Sequence, residues 1–268
     1  LLTMADIFTA NGYRTGHFGK WHLGDNHPYR PQDRGFQETI HHPAWGITSA
    51  PDYFGNDYFD DSFRHNGVIE PFEGYCTDVW FEQATKWIEK QGDRPFFAYI
   101  ATNAPHTPHW VPDEYRQPYL DQVDYTVASF YGMIANIDEN VGKLDAFLTE
   151  RGLRDNTILL FMADNGTATG ENVYNAGMRG KKTSLYEGGH RVPFFIRWPN
   201  GQLGKPRDIP DTAHGIDFLP TAIELCGLDI PKDVTFDGVS LAGRLLREEP
   251  IDDRMLLVQY GTAQRTRK

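Results

Sequence analysis

Lys20 and His22 stand two residues apart in the Gly-rich run Gly12-Tyr13-Arg14-Thr15-Gly16-His17-Phe18-Gly19-Lys20-Trp21-His22-Leu23-Gly24. A permanent cation beside a side chain that titrates near neutrality can hold an anion and move a proton. Ala104-Pro105-His106-Thr107-Pro108 offers a further imidazole, so His22 and His106 are candidates for a general base and a general acid. Ala163-Asp164-Asn165-Gly166 presents one carboxylate and one amide oxygen, both hard donors suited to Ca²⁺ or Mg²⁺. A last segment, Arg179-Gly180-Lys181-Lys182-Thr183-Ser184-Leu185-Tyr186-Glu187-Gly188-Gly189-His190-Arg191-Val192-Pro193, adds Lys182 as a second point charge for a tetrahedral anion.

Each residue also has an ordinary reading. Most lysines are simply solvated, Asp-Asn-Gly is most often an Asx-turn, and any of the ten histidines can be structural. What favours chemistry at the lysines is their glycine context, which lets backbone and ligand approach closely. Because Ca²⁺ takes roughly six to eight oxygens, Asp164 and Asn165 cannot complete a site alone. His214 and Asp217 precede a helix, where capping is the simpler account.

The elements that must position these groups alternate in type. Residues 2–10 read as a short helix and 14–18 as a strand that delivers Lys20 and His22. Residues 77–90 read as a helix with Thr77 as N-cap, 95–101 as a buried strand, and 121–150 as a long amphipathic helix. Strands follow at 157–162 and 192–198, with a helix at 215–225 and a strand-like stretch at 255–260. This order predicts an α/β fold, a mostly parallel central sheet with helices on both faces. Lys20, His22, His106 and Asp164-Asn165 all follow predicted strands, where open sheets of this kind bind ligands. Residues 24–73, aromatic and poorly periodic, read as a long surface loop. Its Trp45, Tyr53, Phe54, Tyr58 and Phe59 either stack on sugar rings or form a small core of their own.

Composition bounds the function classes. Lys plus Arg number 26 against 37 Asp plus Glu, a net charge of -11, which argues against nonspecific nucleic-acid binding. A run of about 18 apolar residues is missing, so no membrane span is expected. The two cysteines, Cys76 and Cys226, give neither a disulfide framework nor zinc spacing and read as buried hydrophobes.

In this order the four segments resemble the type I, formylglycine-dependent sulfatases, arylsulfatase-like members of the alkaline-phosphatase superfamily. The resemblance runs from Leu1 to about Tyr260 and starts partway into the family's pattern. It implies residues 1–268 as a partial catalytic domain of alkaline-phosphatase-like fold, incomplete at both ends. A truncated antiparallel subdomain would begin at about residue 254. Neither cysteine stands in the Cys-x-Pro-x-Arg context that the family converts to its formylglycine nucleophile.

The resemblance further implies sulfate binding by Lys20, Lys182 and His106, and leaving-group protonation by His106. His22 would assist sulfate release, and Asp164 and Asn165 would bind Ca²⁺ or Mg²⁺. The family's spacing to Tyr-Glu-Gly-Gly selects Lys182 over Lys181, although the family often has Gly where Thr183 stands. The expected reaction is hydrolysis of an aryl or carbohydrate sulfate ester, with the 268 residues inactive by themselves. A phosphoester or phosphonate hydrolase and a non-catalytic glycan-binding homologue are the alternatives. The family's usual compartment implies a periplasmic or extracellular location, lysosomal in a eukaryote.

Overall fold

Thr3 opens the first helix, α1 (Met4–Ala10), through a reciprocal cap. Its hydroxyl accepts from the Asp6 N–H at 3.3 Å, and the Asp6 carboxylate accepts from the Thr3 N–H at 2.8 Å. The computed structural model describes residues 2–260. Within them the chain forms two compact units, 2–150 with 227–234 and 151–226 with 235–260.

The first unit is built on β1 (Arg14–Lys20), which pairs in parallel with β2 (Glu38–His42) and, on its other side, with β5 (Phe96–Ala101). Two short strands, β3 (Ser62–His65) and β4 (Val68–Pro71), extend the sheet beyond β2 as an antiparallel hairpin, giving the order β4-β3-β2-β1-β5. The hairpin turns at Asn66-Gly67, both with positive φ, the pair that a tight primed turn requires. β5 is one of the sheet's two edge strands among the described residues, with β4 at the other end, and Tyr99 on it stays 42% exposed.

Alternation along β1 sends neighbouring side chains to opposite faces. Thr15 and His17 point to the side where Ala5 of α1, Trp21 and Phe36 form a cluster with Phe97, and Phe8 stacks on Phe97 at 4.5 Å. Phe18 points to the other side, against Trp87 of α2 (Cys76–Glu89) at 5.7 Å. After a short turn of helix, α3 (Asp113–Arg116), the long α4 (Tyr125–Glu150) packs on α2. There Asp78 accepts from both Asn136 and Asn140, at 2.9 and 2.7 Å. Helices therefore cover both faces, as expected. Full burial of side chains such as Phe18, Phe63 and Trp80 contributes roughly 2–3 kcal/mol each.

The second unit holds β6 (Leu159–Met162), α5 (Glu187–His190), β7 (Phe194–Arg197), α6 (Phe218–Cys226) and α7 (Ala242–Arg247). β6 and β7 form their own antiparallel pair, Leu159 opposite Arg197 and Met162 opposite Phe194. His214 accepts from the Ile216 N–H at 3.3 Å, and the buried Asp217 carboxylate accepts from His214, Val239 and Arg254. Capping and buried pairing thus account for both residues.

Four local expectations change. Residues 24–73 are not one loop: they contain β2, β3 and β4, whose pairing and burial do not depend on an apolar run. The strands expected at 157–162 and 192–198 lie outside the parallel sheet and pair with each other. Thr77 sits inside the first turn of α2 and the N-cap is Tyr75, which makes no side-chain cap. Residues 255–260 have no regular structure, because they find no partner strand among the described residues; Met255 and Leu257 are exposed. The proposed subdomain from residue 254 lies partly outside the described residues. No described helix is long and apolar enough to cross a membrane.

Candidate active site

In the first unit the carboxyl ends of β1 and β5 lie side by side and carry three of the six candidate residues. Gly19, opposite Ala101, makes that closeness possible: a Cβ there would fall 2.1 Å from the Ala101 carbonyl oxygen, and its φ is +115°. The next residue, Lys20, is half-buried at the strand end, and His22 follows, exposed, in irregular backbone. β5 delivers Asn103, buried, and then His106, exposed.

His106 is oriented by its surroundings. Its Nδ1–H donates to the Thr107 carbonyl at 2.9 Å, which leaves Nε2 as the nitrogen for proton exchange with a ligand. Its own N–H donates to the Asn103 carbonyl at 3.0 Å, and its carbonyl accepts from the Tyr58 hydroxyl at 3.4 Å. Asn103 is fixed in turn, since its Oδ1 accepts from the Trp80 indole N–H at 3.1 Å and from the Cys76 thiol at 3.6 Å. Four residues past His106, the Trp110 carbonyl accepts from the Tyr75 hydroxyl at 3.0 Å. His109 packs edge-on against Phe130, and burial together with nearby His106 holds its pKa below the usual imidazole range.

Two histidines that the sequence reading passed over lie beside Lys20. His42 is its register partner on β2, and both His41 and His42 are buried. Each spends its Nδ1–H on a main-chain carbonyl, His41 on His42 at 3.3 Å and His42 on Pro43 at 3.1 Å. Burial lowers both to about 4, so near neutral pH they add no charge next to Lys20. Their signal was the β-branched start of Glu38-Thr39-Ile40-His41-His42, too short to stand out from its polar surroundings. His17, on the same strand as Lys20, is fully buried among Trp21, Phe36 and Tyr99 and belongs to the core.

The second unit brings Asp164, Asn165 and Lys182 together. Asp164 is exposed and Asn165 half-buried, just past β6. The Gly166 N–H donates to the Gly189 carbonyl at 3.0 Å, and the Lys182 N–H donates to the Thr167 carbonyl at 2.7 Å. A Cβ on Gly166 would lie 1.9 Å from the Gly188 carbonyl oxygen, so only glycine lets these two segments meet. Lys181 pairs with Glu171 at 2.6 Å, which leaves Lys182 as the lysine of the pair suited to an incoming anion.

Asp164 and Asn165 supply oxygen donors of the right class for Ca²⁺, yet the described residues contain no group of three or more His, Cys, Asp or Glu placed to hold a metal. They therefore fit a metal as two of its ligands and no more. A formylglycine does not fit either cysteine. Cys76 is completely buried, with its thiol pushed well above the usual range by that burial, and Cys226 lies at the end of α6.

Known proteins resemble this chain in sequence and fold. The sulfatase family model matches residues 1–228. The chain is 33% identical over 261 residues to the uncharacterized sulfatase YdeN of Escherichia coli, covering 89% of this chain and 46% of that protein. It is 29% identical to an ulvan-active sulfatase of Formosa agariphila, covering 96% of this chain and 52% of that one. Among solved structures, Ps i-CgsB in complex with k-i-k-neocarrahexaose superposes with a TM-score of 0.80 at 27% identity, over 92% of this chain and 58% of that one. The chain thus spans about half the length of the curated relatives it matches. With the family's model covering most of its residues and a relative named as a sulfatase 33% identical over 89% of it, the chain belongs to the sulfatase family.

Proposed function

We propose that this chain carries the sulfate-binding and proton-transfer residues of a sulfuric ester hydrolase acting on a carbohydrate or aryl sulfate. The observation that carries the reading is that Lys20 and His22 lie at the carboxyl end of β1 and His106 follows the adjacent parallel strand β5. Lys20 and Lys182 hold sulfate oxygens and draw off the negative charge that develops on them. His106, its Nδ1–H already committed, donates a proton from Nε2 to the departing alcohol oxygen. His22 takes up or returns the proton needed to release sulfate. His41 and His42 stay neutral beside Lys20 and preserve its charge as the local attraction for the anion.

Asp164 and Asn165 contribute two ligands to a Ca²⁺ or Mg²⁺, which when bound would neutralise sulfate charge. No step is assigned to a formylglycine, because no residue of this chain is its precursor. The 268 residues are accordingly inactive alone. The complex of Ps i-CgsB with a carrageenan hexaose supports a carbohydrate ester as substrate. A periplasmic or extracellular enzyme, lysosomal in a eukaryote, would meet such polymers.

The test is turnover by the full-length protein on matched 4-methylumbelliferyl sulfate and phosphate. Sulfate release abolished by Lys20→Ala, with phosphate ester spared, is the expected result. Preference for the phosphate ester would turn the reading to a phosphoester hydrolase. Binding of sulfated glycan with no release of either product would turn it to a glycan-binding protein.

A further inference from the structure

One buried tyrosine holds the backbone of one exposed residue and the ring of another in the same loop. Tyr58, 1% exposed, donates its hydroxyl to the His106 carbonyl and meets the Trp110 ring edge-on at 6.1 Å and 75°. Behind it Tyr75 stacks on Tyr58 at 6.3 Å and donates its hydroxyl to the Trp110 carbonyl at 3.0 Å. Val111, the next residue, is buried. Both the ring and the backbone of Trp110 are thereby held, yet the side chain remains 44% exposed.

A half-exposed apolar residue is ordinary on a protein surface and carries nothing by itself. Trp110 differs because it is immobilised, and because the same clamp sets the loop of the candidate acid. Phe54 makes the contrast: it is fully exposed and has no ring contact among the described residues. A rigid indole loses little freedom on binding, and its face suits the C–H face of a pyranose ring.

We propose that Trp110 is a stacking platform for a sugar ring of the substrate, on the leaving-group side that His106 serves. The proposal rests on the sulfate-ester reading above and names the residue that selects a saccharide over a bare anion. It assigns Trp110 to recognition, with no part in proton transfer.

Calorimetric titration of the full-length protein with two probes, a sulfated neocarrageenan hexaose and inorganic sulfate, tests it. Trp110→Ala is expected to weaken hexaose binding by about tenfold, while Trp110→Phe retains most of the affinity and Phe54→Ala all of it. Inorganic sulfate binding is expected to be unchanged in all three variants. Hexaose affinity unaltered in Trp110→Ala, or absent in the unsubstituted chain, overturns the platform. Equal loss for both probes in Trp110→Ala also overturns it, since the ring would then support the loop and not the sugar. The underlying reading fails separately, if Lys20→Ala leaves inorganic sulfate binding intact.

Discussion

The Lys182 main-chain N–H donates to the Thr167 carbonyl at 2.7 Å, which ties the second candidate lysine to the turn that carries Asp164 and Asn165. Thr183, the next residue, adopts φ +77°, a left-handed conformation that β-branched side chains disfavour. Thr183→Gly should therefore relieve strain and stabilise the second unit by about 1 kcal/mol, after the entropy lost to glycine is deducted. Chemical denaturation of the two proteins measures the difference, and a destabilised glycine variant would show that the threonine's contacts outweigh its strain.

Gly166→Ala should do the opposite. The added methyl would press on the main-chain oxygen of Gly188 at 1.9 Å, and backbone cannot swing away as a side chain does. A loss of about 3 kcal/mol is expected, together with weaker binding of inorganic sulfate as the Lys182 segment is pushed from its turn. Unfolding midpoints and sulfate titration read both effects.

Stability should fall on acidification below about pH 6.5. His41 and His42 titrate at about 4 in the folded chain, pushed down by burial, and near 6.5 when unfolded. The unfolded state therefore binds more protons between those values, so stability is full above 6.5 and drains as pH falls toward 4. The loss is on the order of 3 kcal/mol per histidine. His42→Gln should flatten the dependence, as followed by urea unfolding across that range; a profile as steep as the parent's would contradict the assignment.

Asp61 works against this trend. Burial raises its carboxyl to about 6, although the N–H groups of Asp57 and Tyr58 donate to it. Between about 4 and 6 the folded state holds the extra proton, so this residue alone makes the chain less stable as pH rises, by about 3 kcal/mol in all. Its own titration, followed by carboxyl NMR shifts, should centre near 6 and not near 4.

His106→Ala in the full-length protein should discriminate by leaving group. A general acid matters most when the departing oxygen is basic, so a sugar sulfate should lose roughly 10²–10⁴ in kcat. An activated aryl sulfate such as 4-nitrophenyl sulfate should lose far less. Equal losses on both would reassign His106 to anion binding.

Much of the frame was legible because it rests on local rules. The capped α1, the β1 strand into Lys20, the 26-residue α4 and the strand before His106 all follow from periodicity and caps. The six candidate residues stood out by residue type together with the family resemblance, and the structure places Lys20, His22 and His106 in one unit and Asp164, Asn165 and Lys182 in the other. What escaped was set by partners distant in sequence. Glu38-Thr39-Ile40-His41-His42 becomes a buried strand only because β1 lies against it. The fate of the aromatic loop was equally illegible: Tyr58 went into the interior against Tyr75 and Trp110, partners distant in sequence, while Trp45 and Phe54 stayed outside.

β5 presents Phe96-Phe97-Ala98-Tyr99-Ile100-Ala101 with β1 as its one partner strand among the described residues. Six uncharged residues without proline, on a strand that ends its sheet among the described residues, have the composition of a template for chain-to-chain growth. Handled at high concentration, the isolated polypeptide should thicken into β-rich aggregates. A lysine in place of Tyr99, whose side chain already reaches solvent, is the gatekeeper that would keep it dispersed.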